Sequence, residues 1–246
     1  MFEKQYELRY FEMNQYGEAS PLTILTLLEE AAADHCLSIE YGLYDLMKQD
    51  IGWVLLGGYI QMERYPSYKE KVTIRTWMSR YATIRGIREN IIFDEQGNII
   101  GKAKGLWLFF DIKRRRPVKI FEDIKKKWSY FPEESLKNDI RKKIEPIHSA
   151  KYSNKFRVHQ FDIDSNKHAN NLRYLQWLIE SIVHEIVDNY FLHTIDGRFT
   201  AEAYYGHTIN SLTEYDNYDN AFIHTIKDLN NERVCVTAKS KWKKRL

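Results

Sequence analysis

Within DIDSNKHANN, residues 162–171, Asp164, Asn166 and His168 stand on alternate positions just ahead of an apolar pattern of helical period. In an extended segment alternate side chains point to one face, so a carboxylate, a carboxamide and an imidazole would converge on one point. The imidazole can take or give a proton near neutral pH, the carboxamide can hold a water or a carbonyl oxygen, and the carboxylate can orient its neighbours. The helix that begins near Asn170 adds free backbone N–H groups and the positive end of its dipole, both suited to developing negative charge. A positioned water, a base and donors for an oxyanion are what hydrolysis of an acyl compound requires. His168 or a nearby carboxylate can serve as the base, and the sequence leaves that choice open.

The elements that must hold these residues are written twice. At a constant offset of 150, RYFEMNQYGEASPLTILTLLEEAA (9–32) matches HQFDIDSNKHANNLRYLQWLIESI (159–182), with Leu22, Leu25, Leu28 and Glu30 meeting Leu172, Leu175, Leu178 and Glu180. Both copies read strand, turn, helix. Ser20 followed by Pro21 is an N-cap with proline at the first helical position, and Asn170 stands at the equivalent cap. Apolar stripes follow: Leu22, Leu25, Leu28 and Ala32 in the first copy, and Leu172, Leu175, Ile179, Ile182 and Ile186 in the second, which predicts a second helix reaching Ile186. Strand-forming runs come next, closing in a hairpin that turns at DEQGN and carries Ala103, Lys104 and Trp107. The second half ends likewise, turning at DLNNE before Ala238, Lys239 and Trp242. Two matching points per half indicate an internal duplication. The charged, proline-containing stretch 125–154 reads as a linker between domains 1–124 and 155–246. One helix and four or five antiparallel strands bury themselves only if the sheet curls around the helix, and two such units can cover each other's sheet edges. The fold class expected is α+β.

Composition narrows the function. The 246 residues, 43% of them hydrophobic, suffice for a substantial core, and the N-terminus has neither an apolar leader nor a membrane-length segment, which predicts a cytoplasmic protein. The two cysteines, Cys36 and Cys235, provide no disulfide framework or CxxC site and are expected to be buried thiols. A net charge of +3 is gathered in runs such as KRRRPVK (113–119), KKK (125–127) and RKK (141–143), able to steer an acidic partner. No zinc, helix-turn-helix or RNP-like signature accompanies that charge, so nucleic acid is not the expected partner. The absence of GxSxG and of a cysteine in a nucleophile-like segment favours direct attack by water, with no metal. His35, His148, His159, His184, His193, His207 and His224 are expected to be structural.

The pattern D-x-N-x-H-x-N-N at Asp164, Asn166, His168, Asn170 and Asn171, with WVLLGGYIQMERYPSYKEKVTIRTW and LWLFFDIKRRRPVKI in the first half, resembles the bacterial acyl-acyl carrier protein thioesterases over nearly the whole chain. The resemblance implies a tandem hotdog fold, each unit a curved antiparallel sheet around a long central helix. It also implies hydrolysis of the thioester between a fatty acyl chain and acyl carrier protein, without a cofactor. In that family the Asp, Asn and His act with a Glu, matched here by Glu202 in RFTAEAYYGHT, so Asp164, Asn166, His168 and Glu202 form the expected catalytic set. Glu180 and Glu185 are the alternatives to Glu202, and a rival register puts Gly206 at that position. Ala203 stands where plant relatives carry a cysteine, which excludes a thiol nucleophile there.

At offset 150 the first copy has Asn14, Tyr16 and Glu18 in place of Asp164, Asn166 and His168, which predicts one site per chain. The first copy is then free to line an acyl tunnel, with Trp53, Leu55 and Leu28 as candidates that ordinary core packing explains equally well. Asn170 and Asn171 are candidates for substrate contact beside the helix start. Competing readings are a hotdog acyl-CoA thioesterase, a hotdog hydratase, disfavoured by the two asparagines after His168, and a silent acyl-binding protein. A monomer and a homodimer are both compatible with two hotdogs in one chain.

Overall fold

The computed structural model describes residues 1–128 and 130–245, and the chain divides into two compact units, Met1–Asp139 and Ile140–Leu246. The first contains β1 (Phe2–Glu7), α1 (Pro21–Leu37), α2 (Leu43–Met47), β2 (Ile51–Met62), β3 (Lys71–Tyr81), β4 (Arg85–Phe93), β5 (Ile99–Asp111), β6 (Arg116–Pro117) and α3 (Glu122–Lys127). Its five main strands pair antiparallel in the order β1-β3-β4-β5-β2, with β6 on β5. Helix α1 starts where Ser20 Oγ accepts the Thr23 N–H at 3.0 Å, and it buries Ile24, Leu27, Leu28 and Ala31. The β4–β5 hairpin turns where Asp94 Oδ1 accepts the N–H groups of Gln96 and Asn98 at 3.0 and 2.8 Å, while Gly97 takes a φ of +81°.

A buried ion pair fixes the other side of this sheet. Lys104 Nζ lies 3.4 Å from a Glu89 carboxylate that is wholly buried, and Glu89 also accepts hydrogen bonds from Ser79 and Ser135. Of the stretch read as linker, residues 125–127 belong to α3. Farther along, Glu133 O accepts the Trp77 indole N–H at 3.0 Å, and Glu134 and the Leu136 carbonyl hold Lys104. That segment is tied to the first unit by satisfying buried polar groups of its sheet.

The second unit contains β7 (Tyr152–Arg157), α4 (Asn171–Ile179), α5 (His184–Asn189), β8 (Tyr190–Phe199), β9 (Thr208–Asp216), β10 (Ala221–Asp228) and β11 (Arg233–Lys244). Its strands pair antiparallel in the order β7-β9-β10-β11-β8, the order of the first unit with each strand replaced by its counterpart. Tyr174, Trp177 and Leu178 of α4 pack on Ile209, Ile226, Val236 and Ala238 of the sheet. The duplication thus extends from sequence to topology.

The second helix is shorter than its stripe predicts. Helix α4 ends at Ile179, and Ile182 and Ile186 lie beyond it, the latter in α5. Ser181 Oγ bonds back to the Trp177 carbonyl at 3.1 Å, and Ile182 and Val183 add β-branched residues that give up rotamer freedom in a helix. Both cysteines are buried and free, and burial raises both thiols, Cys235 to about 12.

Two predictions follow from these buried groups. Lys104→Met should lower stability by about 3–5 kcal/mol, because it strands the Glu89 charge, and Glu89→Leu added to it should restore much of that loss in urea unfolding. His224 is fully buried between Thr213 Oγ1 (2.9 Å) and Ser240 Oγ (2.8 Å), and burial pushes its pKa down to about 3. The folded state therefore holds it neutral, a contribution present above about pH 6.5 and lost as pH falls toward 3, at about 1.4 kcal/mol per pH unit. His224→Gln should make the stability curve between pH 6 and 4 shallower by about that slope.

Candidate functional site

The segment carrying Asp164, Asn166 and His168 is a turn, which corrects the extended arrangement expected from alternation. The Asp164 N–H donates to the His168 carbonyl (2.9 Å), the Lys167 N–H to the Asp164 carbonyl (3.0 Å), and Ile163 bridges Ala169. The Asp164 carboxylate accepts the Asn166 N–H at 2.8 Å, an Asx-turn that shapes the loop. Asn166 is exposed at the turn tip, while His168 is half-buried at its closing end.

One main-chain bond sets the geometry. Ala169 N–H donates to the Ala203 carbonyl at 2.9 Å, joining the turn before α4 to the loop before β9. Their chain neighbours are thereby side by side, and His168 Nε2 lies 3.3 Å from Glu202 Oε2. The Ala203 N–H is taken by the hydroxyl of Tyr174 on α4 at 2.8 Å. Burial raises the Tyr174 phenol well above its ordinary range, so it stays a neutral hydroxyl. Gly206, the residue of the rival register, occupies a left-handed turn at φ +81°, and its N–H donates to the Val158 carbonyl.

Asn170 caps α4, its side chain accepting the Leu172 N–H at 2.9 Å, and Asn171 is the first residue of that helix, half-buried. Glu180 follows α4 and Glu185 lies in α5, both exposed and at the other end of α4 from His168. Three residues were not singled out by sequence reasoning. Tyr204 meets the His168 ring edge-on at 5.0 Å and the His207 ring at 5.4 Å, and His207 Nδ1 lies 2.7 Å from the buried Asp228 carboxylate. The signal available for Tyr204 and His207 was proximity in the chain, since both follow Glu202 within five residues, whereas Asp228, on β10, had no such signal.

In the first unit, Leu28 is buried on α1, and Trp53 packs against Phe109 and Trp128 with ring centroids at 4.7 and 6.0 Å. Leu55 is half-buried on β2. The basic runs are partly neutralised locally: Arg114 pairs with Asp111, Lys125 with Glu122, Lys127 with Glu40 and Lys143 with Glu145. Among the described residues no group of three or more His, Cys, Asp or Glu side chains could hold a metal. No described helix is long and apolar enough to cross a membrane. An imidazole and a carboxylate in proton-transfer range, beside a capped helix start, can activate a water next to an electrophile.

Comparison with known proteins gives matches in both halves. Residues 1–128 match the family model of the acyl-ACP thioesterase N-terminal domain, and residues 145–244 that of the C-terminal domain. An acyl-[acyl-carrier-protein] hydrolase of Cuphea viscosissima is 30% identical over 120 residues, covering 45% of this chain and 28% of that protein. An oleoyl-acyl carrier protein thioesterase of Arabidopsis thaliana is 28% identical over 137 residues, 53% of this chain and 38% of that one. These matches thus span 28% and 38% of the two curated relatives. In structure, the chain is similar to a 12:0-ACP thioesterase from Umbellularia californica (TM-score 0.87, 20% identity, 99% of this chain and 97% of that one). It is likewise similar to an acyl-ACP thioesterase from Bacteroides thetaiotaomicron (TM-score 0.87, 19% identity, 98% and 97%). At these identities the structural likeness establishes the fold, the double hotdog.

The turn geometry yields a test of what Asp164 does. Asn14, its counterpart, accepts the Tyr16 N–H at 2.9 Å in the same kind of turn. Asp164→Asn should therefore keep stability within about 0.5 kcal/mol, whereas Asp164→Ala should cost about 1 kcal/mol in chemical unfolding. An activity loss in Asp164→Asn larger than its stability loss would assign the carboxylate's charge to the reaction.

Proposed function

Because the chain belongs to the acyl-ACP thioesterase family, we propose that it hydrolyses the thioester of a fatty acyl chain on acyl carrier protein, releasing the free fatty acid. The observation that carries this reading is the 3.3 Å approach of His168 and Glu202 on a pinned main-chain frame. In the reaction, water beside the imidazole–carboxylate pair gives up a proton to it as the water oxygen attacks the thioester carbonyl carbon. The oxyanion of the tetrahedral intermediate faces donors beside the start of α4, where Asn170 and Asn171 stand. Collapse breaks the carbon–sulfur bond, and the proton taken from water returns to the thiolate of the carrier's arm. The products are a carboxylic acid and a thiol, and no cofactor takes part.

Asp164 acts in this scheme as a positioning residue through its turn, and Asn166, exposed at the turn tip, meets the thioester end of the arriving arm. Lys167, exposed next to Asn166, presents a cation to an acidic carrier. Trp53, Leu55 and Leu28 of the first unit are the residues we propose as lining for an acyl chain, the role the family resemblance implies for that half. We propose a cytoplasmic location for the reaction. Tyr204 holds the His168 ring edge-on, and the neutral Tyr174 hydroxyl keeps Glu202 in register from below.

Thiol release should be rapid from acyl carrier protein thioesters and slower from the CoA thioesters of the same chains. Glu202→Gln and His168→Ala should each lower turnover by about 100-fold or more, the contribution of one acid–base group. Wild-type rates in both variants, or no release from any thioester by the wild-type protein, would overturn the assignment.

A further inference from the structure

The imidazole of His168 is held by few contacts. Its Nε2 meets Glu202 Oε2 at 3.3 Å, and among the described residues its Nδ1 makes no hydrogen bond to the protein. A histidine that works through one ring nitrogen is ordinarily oriented by a hydrogen bond from the other. Here the second contact is the Tyr204 ring, which meets the imidazole edge-on at 5.0 Å with an interplanar angle of 79°. Tyr204 is itself 37% exposed, and an exposed ring changes rotamer freely unless a neighbour restrains it.

That neighbour is His207. Its ring lies 5.4 Å from the Tyr204 ring, tilted by 57°, and its N–H donates to the Tyr204 carbonyl at 3.1 Å across a tight turn. The His207 backbone is fixed further where its carbonyl accepts the Val158 N–H at 2.8 Å. The imidazole of His207 is anchored as well. Its Nδ1 donates to Asp228 Oδ2 at 2.7 Å, and this wholly buried carboxylate also accepts the Asn230 N–H at 2.8 Å and Asn231 Nδ2 at 3.1 Å, closing the β10–β11 turn. Asp228, His207, Tyr204, His168 and Glu202 thus form one continuous series from a hairpin turn to the candidate pair.

The first unit shows that the scaffold does not require this series. There Glu70 stands at the place of His207 and Ser67 at that of Tyr204, with the same turn bond, from the Glu70 N–H to the Ser67 carbonyl at 3.2 Å. Asp94 closes the β4–β5 turn as Asp228 closes its own, and its charge is met by Arg64 at 3.1 Å, which also pairs with Glu70 at 2.6 Å. The second unit has Ala201 at the place of Arg64. A buried turn carboxylate is therefore common to both units, and the unit that carries the His168–Glu202 pair serves it with an imidazole braced against an aromatic ring.

We propose that His207 is a positioning residue for His168: anchored on Asp228, it fixes the Tyr204 ring, and Tyr204 fixes the plane in which the imidazole meets Glu202. The inference rests on the hydrolase reading only for the reaction that this orientation serves. Acid–base chemistry requires such a pair to stay within about 0.5 Å and about 10–20° of its productive geometry.

The test pairs kinetics with NMR on the full chain. His207→Asn keeps an amide N–H where Nδ1 stands, so Asp228 stays satisfied, and it removes the ring that braces Tyr204. It should lower kcat on an acyl carrier protein thioester about tenfold, the upper end of what one aromatic contact contributes, with KM and the urea midpoint close to wild type. Tyr204→Leu, at an exposed position, should reproduce the loss. In a His168→Ala background His207→Asn should change residual turnover by less than about twofold, because a group that acts through His168 then has nothing to act on. Glu70→Gln, at the same scaffold position in the first unit, should leave kcat unchanged. In carbon–proton correlation spectra the His168 ε1 signal should move in His207→Asn toward the position it takes in Tyr204→Leu. Unchanged kcat in His207→Asn, an equal loss in the His168→Ala background or in Glu70→Gln, or an unmoved His168 signal would each overturn the proposal. A wild-type protein that releases no thiol from any thioester would overturn the hydrolase reading instead, and the His168 signal would still decide whether His207 positions the ring.

Discussion

The hydrogen bond from the Ala169 N–H to the Ala203 carbonyl is the constraint on which the site depends. It joins two loops that are distant in the chain, each closed by its own turn, so the side chains on either side of it have little freedom of direction. An interaction between an imidazole and a carboxylate is strongly sensitive to distance and orientation, and the main chain supplies both before any substrate arrives. The Tyr174 hydroxyl, held neutral by burial, occupies the Ala203 N–H from the helix side and prevents a buried donor from being left unsatisfied.

The same frame exists in the first unit with other side chains on it. There the Ala19 N–H donates to the Pro66 carbonyl at 2.7 Å, and the Lys69 N–H donates to the Leu8 carbonyl as the Gly206 N–H does to that of Val158. Glu18 therefore takes the place of His168, Tyr65 that of Glu202 and Glu70 that of His207. Lys69, at φ +68°, holds the left-handed turn that Gly206 holds in the second unit. Duplication supplied two scaffolds of equal geometry, and the residues on them distinguish one loop pair from the other. Asp164 belongs to the scaffold as well as to the candidate site, because Asn14 makes the equivalent turn.

The units diverge in their helices for a physical reason. In the first, α1 runs seventeen residues and packs its apolar face against a continuous core. In the second, the β-branched run after Ile179 and the Ser181 back-bond end the helix early, and the sheet beyond it borders a cavity. Shortening a central helix by two turns removes packing area from a small unit, and the aromatic cluster of Tyr174, Trp177 and Phe199 concentrates what remains near the site.

The sequence by itself determined the duplication, the helix starts at Ser20 and Asn170, the hairpin turns and the α+β class, because capping, turn chemistry and apolar periodicity are local. It also singled out His168 and Glu202 as residues of interest, through resemblance in a ten-residue motif and a second short segment. Only the tertiary structure decided that the motif is a turn, that the helix stops at Ile179, that Tyr204, His207 and Tyr174 surround the pair, and that Glu202 rather than Glu180 or Glu185 faces His168. Each of those depends on hydrogen bonds between segments tens of residues apart, whose partners periodicity and local propensity do not specify.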